Sequence, residues 1–288
     1  MSDTRRVQIV DAFTTEPTTG NPAGVVPEAD RRLRYFTPET EVDLCGHATV
    51  AAFASLYERA VVAAGTYTVE TGVGVLDVEI TEDGTVWLTQ SEPEISPADV
   101  SLASVADALG LDVAALSEVG ADLPISRAST GFPFLVVPVS YFEQLSAVEP
   151  DLAAIEALCT ETDTQGLYAF TFDALDAEST LHGRAFAPLA GIDEDPVTGT
   201  ASGACGAYLD HFSAFSGGDT GGVPGSDAGN ADAETPEELV FEQGHYVDRP
   251  GTVRVRAGET IHVGGEGTLA LDGELTVPEI EADDILEA

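Results

Sequence analysis

The chain has no lysine. Its 11 basic residues are all arginine, set against 51 acidic residues, and the formal net charge is −40 over 288 residues. Such a surface repels the nucleic-acid backbone and the anionic face of a membrane, so neither is an expected partner. Cysteine is scarce as well. Cys45, Cys159 and Cys205 are too few for a disulfide framework and too widely spaced for a metal site, so no metal is expected and a reducing interior fits. Long apolar runs are missing. Nothing approaches the ~20 uninterrupted apolar residues of a membrane span, and the opening MSDTRRVQIVDAF lacks the apolar stretch of a signal peptide. The expectation is a soluble, cytoplasmic protein. Hydrophobic content is not lacking: at 43% it supports a packed core. The acid excess reads as adaptation to a salty interior, where about 1 M salt shortens the Debye length to ~3 Å; the alternative is a dedicated partner for the acidic surface.

The stretch with the most chemistry is Arg184 to Gly206, RAFAPLAGIDEDPVTGTASGACG. It reads as a short strand, a loop with Asp193, Glu194 and Asp195, and a helix opening on Gly199-Thr200-Ala201-Ser202. Pro196 pushes Asp195 toward extended geometry. Free N–H groups at a helix start, with the dipole behind them, hold an anion. A carboxylate beside such a hole suits proton transfer next to a substrate carboxylate.

The pattern occurs twice. Arg34-Tyr35-Phe36-Thr37-Pro38 echoes Arg184-Ala185-Phe186-Ala187-Pro188, and Gly46-His47-Ala48-Thr49 echoes Gly199-Thr200-Ala201-Ser202. Two copies indicate a duplicated domain with a site between the halves. The fold class expected is α+β: two pseudo-symmetric halves, each a curled, mostly antiparallel sheet around a central helix. The first half is assigned to 1–126 with its helix near 47–58, the second to 127–288 with its helix near 199–212.

Further helices are expected over 98–109, 113–119 and 152–159. Strands are expected over 7–12, 66–90, 125–127, 134–139 and 167–172, and between 239 and 275. Gly20 to Gly24 reads as a turn, followed by a strand from Val25. The Gly-, Asp- and Ser-rich stretch 216–238 is expected to be a flexible loop, and the acidic tail 279–288 to fray.

These motifs resemble a known family. Val10-Asp11-Ala12-Phe13, Gly20-Asn21-Pro22-Ala23-Gly24, Arg34 to Pro38, Cys45-Gly46-His47-Ala48-Thr49, Thr130-Gly131, Gly191 to Ala201, Gln243-Gly244 and Arg249-Pro250 are similar, in order, to the PhzF-like (phenazine-biosynthesis-type) isomerases. The resemblance implies the diaminopimelate-epimerase fold and cofactor-free proton shuttling on a small carboxylate substrate, in a homodimer. By motif, His47, Asp195 and Thr200 take the positions of the catalytic His, Asp and hydroxyl. Gly46, Ala48, Thr49, Gly199, Ala201 and Asn21 take the substrate-binding positions. The family's Ser-Glu-Thr segment, which carries its principal acid/base Glu, has no counterpart. Only about the residues Pro27 to Arg32 separate the two strands that flank it elsewhere.

Alternatives stand beside each assignment. His47 either relays a proton or caps its helix. Asp195 is either the surviving acid/base or an orienting group. Cys45 is either a buried structural thiol or the base of a racemase, since related epimerases place a catalytic thiol there. Its counterpart in the second half, Thr198, is no base. The loss of the Glu segment raises a further possibility, a silent relative that only binds a small acid.

Overall fold

A computed structural model describes residues 3–27, 32–36, 40–117, 119, 123–215 and 236–277. The predicted loop 216–238 falls, up to residue 235, outside the described residues, and so does the predicted tail. The first half begins with β1 (Asp3–Ala12), β2 (Asn21–Val25), β3 (Tyr35–Phe36), β4 (Glu41–Val42) and α1 (Gly46–Glu58). Then come β5 (Gly65–Thr71), β6 (Gly74–Ile80), β7 (Val86–Thr89), β8 (Glu94–Pro97), α2 (Leu102–Leu109) and α3 (Ala114–Ser117). The chain continues with β9 (Ser126–Ser129), β10 (Pro133–Pro138), α4 (Phe142–Ser146), α5 (Leu152–Glu161), β11 (Gly166–Thr171), β12 (Leu181–Ala187), β13 (Ile192–Asp195) and α6 (Gly199–His211). It closes with β14 (Leu239–Gln243), β15 (Gly251–Arg256), β16 (His262–Gly265) and β17 (Gly267–Val277).

The fold is α+β with two related halves. One helix is central to each: α1 packs on β1, β2, β7 and β17, and α6 on β8, β9, β10, β15 and β16. A long sheet in the order β5-β6-β7-β16-β15-β14-β12-β11-β10-β9-β8 runs through both halves, with the seam where β7 pairs antiparallel with β16. A second sheet, β17-β1-β2, wraps α1. The last strand thus returns to pair with the first, Asp3 opposite Val277, so the sheet around α1 is finished by residues from the far end of the chain. The 126/127 division falls at the start of β9.

Small residues let the sheets close on α6. A Cβ added at Gly206 would lie 2.6 Å from Val255, one at Gly203 2.8 Å from Val263, and one at Gly199 2.9 Å from Phe13. The run GACG is therefore a packing surface, and nine residues of α6 are buried, which makes it a core helix without a wet face.

Two local expectations change. Asn21 to Gly24 is strand rather than turn: only Gly20 takes the left-handed φ of +59°, and Pro22 is tolerated because β2 is an edge of its sheet. The acidic run at Ile192–Asp195 is likewise a strand, paired with β12. Helix α4 was not expected. It has five residues, and its signal is only the Tyr141/Gln144 capping box.

Candidate active site

The sequence repeat is a repeat of geometry. Hairpin β3–β4 pairs Tyr35 with Val42, and hairpin β12–β13 pairs Ala185 with Asp195. In each copy the arginine that opens the hairpin grips a glutamate with both arms of its guanidinium. Arg34 holds Glu41 at 2.8 and 2.8 Å, and Arg184 holds Glu194 at 3.0 and 2.8 Å. Each arginine also lies over the phenylalanine two residues on, Phe36 at 4.8 Å and Phe186 at 5.2 Å. Each helix then opens the same way. Cys45 and Thr198 are extended caps, and the fourth residue on, Thr49 or Ser202, turns its hydroxyl back onto the cap's carbonyl at 2.8 or 3.0 Å. The two helices touch.

The scaffold repeats, but the chemistry does not. Where the second half has Asp195, the first has Val42. Where the first has Cys45, the second has Thr198. The acid and the thiol therefore come from opposite halves. Burial pushes the Cys45 thiol up and the charge of Asp195 adds a smaller push, so the two groups lie within electrostatic reach of each other.

Asp195 is held from several directions. Asn21 Nδ2 donates to its Oδ1 at 3.0 Å and to the Val197 carbonyl at 2.7 Å. The Thr198 hydroxyl donates to its Oδ2 at 2.6 Å. Gln243 Nε2 donates to the Asp195 carbonyl at 2.7 Å and to Thr198 Oγ1 at 3.1 Å, and Gln243 Oε1 accepts the Thr198 N–H at 3.2 Å. Burial pushes the Asp195 carboxyl up to about 6, against the lowering effect of the Thr198 and Asn21 hydrogen bonds. The residue as a whole is only half-buried, so the carboxyl sits among protein atoms yet stays reachable.

An outer layer holds the holders. Arg249 ties buried Asp11 to the Thr19 and Gly20 carbonyls, and Asp11 also accepts the Thr18 N–H at 2.7 Å. This fixes the turn before Asn21. A Cβ on Gly244 would lie 2.6 Å from the Pro196 carbonyl, so the strand carrying Gln243 presses directly on the Asp195 loop. Residue-by-residue reading gave Gln243, Thr198, Asp11 and Arg249 no role. The available signal was polar residues in short motifs at strand ends, Gln243-Gly244 and Arg249-Pro250.

At the α1 opening, Cys45 Sγ lies 3.4 Å from His47 Nδ1. Burial raises the thiol, with the Ala48 N–H opposing, so Cys45 rests as a thiol. Burial lowers His47 to about 4, so its imidazole is neutral at neutral pH. Gly46 is bare for reasons other than packing or backbone: it has no left-handed φ, and a Cβ there would meet nothing within 4 Å. Thr200 stands half-buried at the α6 opening, and its hydroxyl has no partner among the described residues.

Three of the expected substrate-binding residues are spent inside the protein. Thr49 gives its N–H and its hydroxyl to the Cys45 carbonyl and also meets the Tyr35 hydroxyl at 2.7 Å. Asn21 uses its amide donor on Asp195 and Val197. Ala201 is fully buried. Gly46, His47 and Ala48 open α1, and Gly199 and Thr200 open α6; all five are half-buried.

Among the described residues no cluster of His, Cys, Asp and Glu is arranged to hold a metal, and no helix is long and apolar enough to cross a membrane. His182 is instead buried 2.9 Å from Glu242, beside His245. Two concavities lie away from the helix openings. One, of about 590 Å³, includes Arg127, Asp210 and His211 at the far end of α6, and the other, of about 270 Å³, includes Tyr57 and Asp83. Neither touches Asp195 or Cys45, and neither brings together an acid, a thiol and free helix amides.

Comparison with known proteins agrees with this architecture. Residues 27–274 match the family model PhzC-PhzF, described as phenazine biosynthesis-like protein. The uncharacterized isomerase YfhB of Bacillus subtilis is 34% identical over 283 aligned positions, covering 86% of this chain and 89% of its own. Those positions outnumber the residues of this chain they cover, so the relative carries residues with no partner here. The uncharacterized isomerase YddE of Escherichia coli K12 is 34% identical over 72% of this chain and 79% of its own. A Bacillus anthracis phenazine biosynthesis protein of the PhzF family superimposes with a TM-score of 0.80 at 29% identity, covering 96% of this chain and all of that one. A hydroxyproline epimerase from Agrobacterium vitis shares the fold at a TM-score of 0.56 and 11% identity, over 97% of this chain and 95% of that one. With a family match spanning most of its length and the same fold in the solved relatives, this chain belongs to the PhzC-PhzF family of phenazine biosynthesis-like proteins.

Proposed function

We propose that this chain is an isomerase that moves a proton on a small carboxylate or amino-acid-like substrate held between its halves, without a cofactor. The observation that carries this reading is Asp195: a carboxyl with a pKa near 6, fixed by Asn21 and Thr198, beside the α6 opening and within electrostatic reach of Cys45 at the α1 cap. The isomerase names of its relatives agree with it.

The substrate carboxylate sits on the free N–H groups of the two openings, where Gly46 lets the backbone approach closely. Asp195 takes a proton from the adjacent carbon. A general base works best with a pKa near the operating pH, and about 6 is closer to that than an ordinary aspartate. The negative charge that develops is met by the same N–H groups. Neutral His47 and the Thr200 hydroxyl supply hydrogen bonds to substrate polar atoms.

Proton return has two routes. Asp195 can hand the proton back on the same face, at another carbon, which shifts a double bond. The Cys45 thiol can deliver one from the opposite face, which inverts a centre. The second route has its own support: Cys45 rests protonated and comes from the opposite half, so it starts as the acid while Asp195 starts as the base. In both, Asp195 does the work that the family's missing Glu does elsewhere.

Solvent exchange tests the proposal. Small amino, imino and hydroxy acids are incubated with the protein in D₂O at high salt and followed by proton NMR. Loss of the α-proton signal with the parent and not with Asp195→Asn is the expected result. Cys45→Ser then separates the routes: exchange that continues without inversion assigns the return proton to Cys45. Binding of an acid with no exchange would reduce the chain to a binding protein.

A further inference from the structure

We propose that Gln243 is a positioning residue that sets the direction of the Thr198 hydroxyl, so that its one proton points at Asp195. Gln243 is almost fully buried at the end of β14. Its amide orientation is fixed by its neighbours. Nε2 faces the Asp195 carbonyl, which only accepts, and Oε1 faces the Thr198 N–H, which only donates. A flipped amide would set oxygen against oxygen and N–H against N–H. The same Nε2 reaches Thr198 Oγ1 at 3.1 Å. That hydroxyl therefore accepts from Gln243, and its proton goes to the other near acceptor, Asp195 Oδ2 at 2.6 Å.

This direction matters because a hydroxyl can donate or accept. With Thr198 donating to Oδ2 and Asn21 to Oδ1, both carboxyl oxygens already accept a hydrogen bond from the protein. Each keeps a lone pair, and only those outside the Thr198 and Asn21 contacts are free to take or give a proton. Gln243 thus keeps the protein-facing side of the carboxyl as acceptor and leaves the cleft-facing side to the exchanging proton. It touches neither substrate nor reacting atoms and acts through Thr198. The other ionisable groups near Asp195 are Cys45, with His47 3.4 Å from its sulfur, and Glu194 on the same strand, which is taken up by Arg184.

The test reads the carboxyl itself and so stands apart from turnover. The ¹³C resonance of Asp195 is assigned by its loss in Asp195→Asn and followed against pH in the intact protein. Gln243→Leu, which removes the donor at similar volume, should raise the midpoint by about 1 pH unit, because the hydroxyl is released from Oδ2. Thr198→Val should raise it by a similar amount, Thr198→Ser should leave it in place, and Gln243→Leu with Thr198→Val should move it no further than either alone. An unmoved midpoint in Gln243→Leu, or additive shifts in the double variant, would overturn the inference. Should Gln243→Leu fail to fold, the unsubstituted protein decides. Its Thr198 hydroxyl proton should exchange slowly and move with the Asp195 titration, and a hydroxyl averaged with solvent would refute the assignment.

Discussion

Replacing Asp195 with asparagine should abolish proton exchange and yet stabilise the protein, and the gain should grow with pH. The carboxyl is raised from 3.8 to about 6 in the folded protein, mainly by burial. The native state therefore holds this proton more tightly than the unfolded chain. That stabilisation is complete below pH 3.8 and is lost as pH rises through about 6. At about 1.4 kcal/mol per pH unit, the charged side chain costs the fold about 3 kcal/mol at pH 8 and about 1.5 kcal/mol at pH 5. An amide never ionises and escapes this cost. It also loses about 1 kcal/mol, because an amide NH₂ cannot accept the hydroxyl proton of Thr198. The net expectation is about 2 kcal/mol of added stability at pH 8 and close to none at pH 5. Urea titrations of parent and Asp195→Asn at both pH values, in the same high salt, measure it. A variant no more stable than its parent at pH 8, or one whose gain is the same at pH 5, refutes the claim that burial strains this carboxylate.

Three further outcomes follow from the paired geometry. Arg34–Glu41 and Arg184–Glu194 are the same device at different depths, with side chains 56% and 46% exposed in the first and 6% and 12% in the second. Thermal melts should show Arg184→Met costing about 3 kcal/mol or more, since it strands the largely enclosed Glu194, and Arg34→Met leaving the melting temperature nearly unchanged. Gly46→Ala should melt like the parent but lose exchange activity, because its Cβ enters open space at the site, whereas Gly199→Ala collides with Phe13 and should be plainly destabilised in the same melts. Asn21→Leu removes a donor that lowers Asp195, so the midpoint of the pH–exchange profile should move upward from about 6. An unmoved midpoint would separate Asn21 from the acid.

Much of the scaffold was legible because the determining signals are local. Arg-X-Phe followed by an acid and a Gly-X-Ala-hydroxyl helix start lies within some two dozen residues, and each part has a physical reason to be there. The repeated strand ahead of each helix, both central helices and the extended geometry of Asp195 ahead of Pro196 are therefore legible, whereas the second strand of each hairpin is not. What was hidden depends on pairs far apart in sequence. Asn21 meets Asp195 and Arg249 meets Asp11 only because β17 returns to β1 and β14 runs beside the Asp195 loop. No local pattern shows that Gln243 touches Thr198. Thr49 misled for a related reason. At a helix start a hydroxyl can serve a ligand or its own backbone, and here it turns back to the Cys45 carbonyl. The difference between the halves, Asp195 against Val42 and Cys45 against Thr198, was written in the sequence, but its meaning depended on the hairpin register.

The central claim is that Asp195 moves the proton. Its most direct test is the rate of solvent deuterium exchange into a bound small carboxylate between pH 5 and pH 8, in parent and Asp195→Asn. The account predicts a rate that rises with a midpoint near 6 in the parent and no exchange above background in the variant. Exchange that persists in Asp195→Asn with the same pH dependence would assign the chemistry to another group and contradict it.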